Sequence, residues 1–532
     1  MQYPMKYIEN NLVWNYDGEC FAYYELIPYN YSFLSVEQKQ AVHDAFRQLI
    51  AQNRDGKIHA LQISTEASIR AAQERSKAHA SGKLREAALR RIDGQTDALV
   101  SMIGENQVDY RFYIGFKLLL NEQDSAGLGR QAASLFSGFL RDVNHTLMGD
   151  FASMPNDEIL RYQKMEKLLE SKISRRFKVR RLDKNDFGYL LEHLYGKSGV
   201  VYEDYAFHLP KKKLKGETLV KRYDLIKPTR CLLEEHGRYL HISHDDSEVY
   251  SAYFTISDVV GELDFPSSEI FYYQQQQFTF PVDTSMNVEI IANKKALSTV
   301  RNKKKELKDL DNHAWESGDE TSTSVAEALE SVNELETELG QSKEAMYKLS
   351  YVVRVTAPDA EELKRRCNAV RDFYDDMNVK LVRPVGDMIG LHHEFIPASK
   401  RYMNDYIQYV TSDFLAGLGF GAAQMLGEKD GIYIGYGVDT GRNVYLQPAL
   451  ASQGVKGFIS IAFQNQGKTI PAEQLSALFD KFYRLDAARI SDTGGTGLGL
   501  AIAKEIVLLH GGAIEARSEY ETVTFVVKLP IS

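Results

Sequence analysis

Cysteine is scarce in this chain: 532 residues contain three, Cys20, Cys231 and Cys367. They lie far apart, form no CxxC pair and offer no disulfide framework, which suits a reducing compartment. Long apolar runs are missing too. The weakly polar stretch FLAGLGFGAAQML (414–426) is too short and too glycine-rich to span a bilayer. The first residues, MQYPMKYIENN, lack the apolar core of a signal peptide. Positive charge is not in excess either. The net charge is −9, so no global basic field draws the chain to nucleic acid, and no direct nucleic-acid contact is expected. These absences predict a cytoplasmic protein without a transmembrane segment, at most peripheral at the inner face of the membrane.

What is present is ordinary for a folded protein: 44% apolar and 26% charged residues, over a length that corresponds to about two to four domains. ECFAYYELI (19–27), KIHALQIS (57–64) and VDYRFYIGFKLLL (108–120) are rich in aromatic and β-branched residues and read as strands. VEQKQAVHDAFRQLIAQ, the alanine-rich run over 66–104 and EILRYQKMEKLLESKISRRFKVRR have helix compositions. Strand patterns return over 249–263 and 277–292, and MYKLSYVVRVTA and VKLVRPVG flank the helical DAEELKRRCNAVRDFYDDM. The expected fold class is therefore α+β, a mixed body without regular Rossmann alternation.

Residues 294–345 form a distinct unit. Val325, Leu329, Val332, Leu335 and Leu339 recur at steps of three and four, a single helical face. With the weaker stripe before it and the polar break ESGDETSTS between, the segment predicts a helical hairpin. Three basic runs, SRRFKVRR (174–181), PKKKLK (210–215) and NKKKELK (302–308), adjoin acidic runs and read as solvated faces.

YIENNLVWNYDGECFAYYELIPYNYSFLS, GELDFPSSEIFYYQQQQFTFPVDTSMNVEI and YVTSDFLAGLGFGAAQMLG resemble the conjugative-transfer ATPase of Gram-positive integrative elements, of the type IV secretion ATPase family. The likeness extends over 1–456. It implies a region that docks on channel proteins of the secretion and conjugation machinery, followed by a RecA-like motor. AFQNQGKT (462–469) comes near a phosphate-binding loop, with Gly467, Lys468 and Thr469 in register and Ala462 in place of the first glycine. Pro471 falls where the phosphate-binding helix should donate N–H groups. No strand ending in Asp-Glu follows, and the P-loop reading is set aside.

The last stretch carries a second resemblance. NQGKTIP, LFDKFYRLD, GGTGLGLAIAK, HGGAI and VTFVVKLP stand in the order of the G1, F and G2 boxes and the closing strands of a sensor histidine kinase of the vancomycin-resistance type. The likeness extends over 457–532 and implies a partial GHKL (Bergerat-type) α/β sandwich that binds ATP. It implies nucleotide contacts from Asn465, Gly467, Lys468, Thr469, Arg484, Gly494, Gly495, Gly497, Leu498 and Gly499. The family usually has Asp where Asn465 stands, and the amide oxygen supplies the same acceptor. Glycines before a helix also bring unpaired N–H groups to a phosphate. Leu475, Leu478, Phe479 and Phe482 form one helical face, and Leu498, Ile502, Ile506 and Leu509 are expected to bury the next helix against the sheet. His510 and Gly511 end that helix.

The Asn-rich N box that binds Mg2+ in this family has no counterpart in GIYIGYGVDTGRNVYLQPAL, so no metal ligand and no catalytic residue is assigned. HHEFIPASKR offers His393, Glu394 and Phe395 without the Arg-Thr-Pro of an H box. The sequence reading is a chimeric, truncated conjugal-transfer protein. It has residues 1–456 from a transfer ATPase and 457–532 from a kinase, with weak or vestigial ATP binding, possible self-association and no autonomous catalysis. The alternative is an ATP-binding sensor histidine kinase of a two-component system.

Overall fold

The computed structural model describes residues 4–51, 56–68, 85–103, 106–119, 156–196, 220–221, 231–245, 247–259, 265–316, 323–399, 405–424, 432–436, 443–446, 457–480 and 498–531, with single positions 70, 73, 74, 77 and 483. They fall into two compact units. The larger holds most of the chain up to 424, and the smaller is built from 432–436, 443–446 and 457–531.

The larger unit is organised on one antiparallel sheet. Its strands are β1 (Met5–Glu9), β2 (Leu12–Asn15), β3 (Cys20–Leu26), β5 (Lys57–Ser68), β6 (Asn106–Leu118), β7 (Val179–Arg181), β8 (Val220–Lys221), β9 (Leu232–Glu235), β10 (Leu240–Ser243), β11 (Glu248–Val259), β12 (Val282–Ile291), β13 (Met346–Ala357), β14 (Val379–Val382) and β15 (Gln408–Val410). The main path runs β8-β1-β2-β3-β6-β5-β12-β13-β11-β10-β9, with β7 on β3, β14 on β11 and β15 on β13. A short parallel pair joins β4 (Tyr29–Asn30) to β16 (Ala422–Ala423).

The central strands are buried on both faces. In β3, Cys20, Ala22, Tyr24 and Leu26 enter one apolar core, while Phe21 and Tyr23 enter another. That is the two-residue period of a strand whose two faces are both covered. Helices 36–51, 156–173, 270–277 and 360–376 cover the first face through Phe46, Tyr162, Phe271 and Phe373. Helices 184–194 and 388–393 cover the second through Phe187, Leu191 and Leu391. Each such side chain contributes about 1.5–3 kcal/mol by burial. The mixed α and β content agrees with the expected class.

The two helical cores are tied to the sheet by polar groups. Asp283 on β12 and Arg354 on β13 stand directly opposite each other in the register. Both are almost fully buried, and Arg354 Nη1 donates to Asp283 Oδ2 at 2.7 Å. Arg354 Nη2 donates to the carbonyls of His193 and Leu194 at the end of helix 184–194. His193 Nε2 lies 2.9 Å from the same Asp283 Oδ2, and Ser64 on β5 donates to Asp283 Oδ1 from both N and Oγ. Burial pushes the Asp283 carboxyl up, but the charges of His193 and Arg354 and the Ser64 hydrogen bond hold it well below its ordinary value. On the same face, Tyr23 lies over Gly115, where a Cβ would meet the ring at 2.4 Å. Its hydroxyl accepts from Ala398 N at 2.6 Å and lies 2.8 Å from His59 Nδ1.

The helical hairpin is present as helices 293–316 and 323–342. Leu339 is buried, and Val332 and Leu335 pack with it against Ile291, Ala296, Val300 and Met346 at the strand ends. Asn293 Nδ2 caps the base by donating to the carbonyls of Leu339 and Glu344.

Two readings differ from the structure. Ile270–Gln277 is a helix, and the strand begins only at Val282. The buried Gln274 and Gln275 amides donate to Val282 O, Phe271 O and Ala422 O, contacts that no local pattern shows. Within 174–181, Arg180 and Arg181 are ion-paired rather than simply solvated: Arg180 with the buried Glu25 and Asp186, Arg181 with Glu166 and Glu170. The run at 210–215 lies outside the described residues.

Asp283→Asn leaves Arg354 buried without its counter-charge and is expected to lower unfolding free energy by about 3–5 kcal/mol, measured by urea denaturation. The carboxyl is depressed on folding, so its contribution is full above its unfolded-state pKa and fades as pH falls through the folded value. The gap between wild type and D283N should thus be constant from neutral pH to about pH 5 and shrink under stronger acid.

Candidate nucleotide site

The smaller unit starts with a hairpin of β17 (Ile432–Tyr436) and β18 (Asn443–Leu446). A separate three-stranded antiparallel sheet has the order β19-β21-β20, from β19 (Gly457–Gln466), β20 (Ala513–Glu519) and β21 (Thr522–Ile531). FISIAF supplies the β-branched and aromatic residues of a strand. Directly paired residues in an antiparallel ladder share a face. Phe463 and Asn465 oppose Phe525 and Val523, which oppose Ala516 and Ser518. On that face Ile470, Leu478 and Phe479 are buried among Leu475, Leu500, Ile514, Ala516, Val523 and Phe525. A four-residue helix (472–475), a 3-10 turn (477–479) and the helix Gly499–Leu509 supply the covering side chains.

Asn465 is exposed near the end of β19, on the face that these helices cover. Gly467 follows, with its N–H donating to Glu521 O at 2.8 Å. Among the described residues a Cβ there would touch only Val523 Cγ2, at 4.0 Å. Thr469 Oγ1 accepts from Glu521 N, and Ile470 N donates to Ser518 Oγ. Thr469 and Ile470 thus pin this loop to the β20–β21 turn, through Glu521 and Ser518 respectively, contacts that spacing alone did not reveal. Lys468 is exposed. Ala462–Gln466 continue β19 in register with β21, so AFQNQGKT forms no phosphate-wrapping loop.

Leu498 is the N-cap of the Gly499–Leu509 helix, and the first turn carries no acidic residue. A Cβ at Gly499 would meet nothing within 4 Å. The first N–H groups of a helix have no intrahelical acceptor, which suits an anion, and among the described residues nothing crowds the Gly499 Cα. Leu500 joins this helix to the core that contains Phe479. The structure thus sets Asn465 and Gly467 at one end of the sheet, and places Leu498 and Gly499 on the helix packed over the same face. Arg484, Gly494, Gly495 and Gly497 lie outside the described residues, as does Phe482.

The helix turns a different side to the sheet from that expected. Ala501 and Val507 are buried, whereas Ile502, Ile506 and Leu509 are 54%, 51% and 80% exposed. The segment GLAIAKEIVLL is apolar almost all round, so its periodicity does not choose a face. His510 and Gly511 (φ +67°) do end it. His393 is buried at the end of the six-residue helix Met388–His393, and burial lowers its pKa to about 4. Glu394 beside it is fully buried and accepts from Ser350 Oγ at 2.6 Å, so HHEF is part of the larger unit's core. No helix among the described residues is long and apolar enough to cross a membrane.

A small antiparallel sheet with one helix packed across it is the part of the chain for which a family can be named. Residues 439–532 match the family described as histidine kinase-, DNA gyrase B-, and HSP90-like ATPases. The C-terminal part of the chain is a domain of that family. Over 72 residues it is 61% identical to the sensor protein VanS of Enterococcus faecium, covering 14% of this chain and 18% of that protein. It is 56% identical to the sensor protein VanSC of Enterococcus gallinarum over 72 residues, 14% and 20% of the two chains. The sensor protein SrrB of Staphylococcus aureus is 29% identical over 212 residues, 39% of this chain and 33% of that protein, an alignment longer than 439–532 itself. The chain thus spans a third or less of the length of these relatives.

These findings correct the functional reading made from sequence. The relatives are named as sensor proteins of the kinase class, which favours the two-component alternative and overturns the conjugal-transfer reading. The comparisons give no support to the likeness drawn over 1–456 or to a chimera.

The exposed Ile502, Ile506 and Leu509 form an apolar stripe of the kind that promotes association. Ile502→Glu with Ile506→Lys, an i,i+4 pair in the favourable order, is expected to lower the concentration-dependent mass measured by light scattering. The circular dichroism spectrum should stay unchanged. Loss of folded signal would show that this face is buried.

Proposed function

We propose that this chain is an ATP-binding protein of the two-component sensor-histidine-kinase class. Its nucleotide-binding domain centres on 457–532, joined in the smaller unit by the 432–446 strands, and the chain up to 424 forms a separate region that includes the 294–345 hairpin. The observation that supports this most is the match of residues 439–532 to the ATPase family, within which Asn465 is exposed and Gly467 and Gly499 are uncrowded by the described residues. The residues fit the ligand. The Asn465 amide oxygen accepts from the adenine amino group, and Gly467 lets the backbone approach the base. The N–H groups at the start of the Gly499 helix face the phosphates. When bound, ATP supplies the phosphoryl group for transfer to a histidine. His393 is not that acceptor, because it is buried.

The same residues set the affinity. The segment before β19 forms the strands β17 and β18, and no asparagine-bearing helix stands there among the described residues to hold Mg2+. A helix N-terminus contributes about 0.3–2 kcal/mol per charge. We therefore propose weak binding, with Kd above about 1 mM, or roughly −4 kcal/mol. Self-association through the Ile502 and Ile506 stripe belongs to the same proposal.

Titration calorimetry of the full chain with ATP and Mg2+ tests it. Asn465→Asp puts a charged acceptor on the adenine amino group and should tighten binding about fivefold, close to 1 kcal/mol, while Asn465→Ala should weaken it similarly. Binding that neither substitution alters, or no saturable binding in N465D, would overturn the site. Acid-labile label from γ-labelled ATP that survives His393→Asn would establish kinase activity in the chain.

A further inference from the structure

The β9–β10 hairpin carries a side-chain cluster that the nucleotide chemistry does not use. We propose that Glu234, His236 and His241 bind a divalent transition-metal cation, with Zn2+ the best fit. Glu234 on β9 and His241 on β10 are direct cross-strand partners, so their side chains share a face. His236 enters from the turn, which is closed by His236 N donating to Tyr239 O and by Gly237 at φ +64°. One ligand atom from each of the three lies within 4.8 Å of the others.

Glu234 Oε2 and His241 Nδ1 are 3.2 Å apart. Two ligands about 2.0–2.1 Å from one tetrahedral Zn2+ stand about 3.3 Å from each other, so this pair already has the required spacing. His236 needs only a side-chain adjustment to close the third edge. Its ring and that of His241 have centroids 6.3 Å apart, both stacked on tyrosines: His236 on Tyr239 and His241 on Tyr250. Those platforms limit ring rotation and reduce the ordering cost of binding.

The outer contacts are also those of a metal site. Glu248 on β11 places Oε2 3.4 Å from His241 Nε2, on the far side of the ring from Glu234. Among the described residues the buried His241 Nε2 makes no hydrogen bond, and a small shift of this carboxylate would let it take the Nε2–H and leave the Nδ1 lone pair toward Glu234 and His236, the carboxylate–histidine–metal relation that fixes ligand tautomers. Two imidazoles and one carboxylate suit Zn2+ and disfavour Ca2+ or Mg2+, which take oxygen ligands. Glu234 and His236 are exposed, so the cation enters from solvent and a water completes its shell. A cross-strand Glu–His pair alone is an ordinary ion pair. The second imidazole at the turn, and the second carboxylate behind the first, are what an ion pair does not need.

The test uses the full chain, with Zn2+ followed by calorimetry and Co2+ followed by its visible absorption. The expected result is one equivalent bound, with a tetrahedral Co2+ spectrum that Zn2+ displaces. Glu234→Gln, His236→Ala and His241→Ala should each weaken that equivalent at least tenfold, and Glu248→Gln about tenfold. Zn2+ should raise the melting temperature of wild type but not of H236A, which keeps the Glu234–His241 pair. Zn2+ bound with unchanged stoichiometry and affinity in H236A and H241A, or no saturable Zn2+ binding, would overturn the site.

Discussion

The larger unit depends on a charge pair that the interior would otherwise reject. Asp283 and Arg354 face each other across β12 and β13, where both side chains are shielded from solvent. Isolated, either charge would be too costly to bury. Together, with Ser64 and His193 completing the carboxylate's shell, they form a fixed point. Arg354 also satisfies the carbonyls at the end of helix 184–194, so one guanidinium meets the sheet's charge and the helix's unpaired acceptors. The arrangement orients that helix, because an apolar contact alone would let it slide.

The sheet built around this point is wide because its strands alternate between two cores. β3, β5, β6, β12 and β13 present buried residues on both faces, and helices close each side. The second unit is made differently. Its three strands are covered on one face by short segments, and much of its last long helix is exposed. Among the described residues this cover leaves Asn465 exposed at the end of β19 and Ile502 and Ile506 exposed on the helix.

Legibility in the sequence followed the same division. The long strands could be read from YYELI, HALQI and FYIGF, because β-branched and aromatic residues mark a pleated, buried surface. The 294–345 hairpin could be read because Val332, Leu335 and Leu339 keep one phase. FYYQQQQ could not, since its helix is held by glutamine amides on distant carbonyls. Neither could the orientation of GLAIAKEIVLL, a helix with no polar side to exclude. The ordered boxes around Asn465, Gly467 and Gly499 pointed to the ATPase family that 439–532 match, while the likeness drawn over the first 456 residues led to the wrong function. Glu234 and His236 are separated by one residue and carry no spacing signal. Only the pairing of β9 with β10 brings His241 beside them.

Gly115 shows how a missing side chain can organise its surroundings. Its hydrogen leaves a slot in β6 that the Tyr23 ring fills, and the hydroxyl of that ring reaches both His59 and the backbone at Ala398. Three segments remote in sequence therefore meet through one absent methyl group. In a saturation-mutagenesis library this position would behave as an almost empty column, intolerant even of alanine. Exposed charges such as Lys305 and Lys308 would accept nearly any replacement. The information that holds this fold is densest where the chain carries least chemistry.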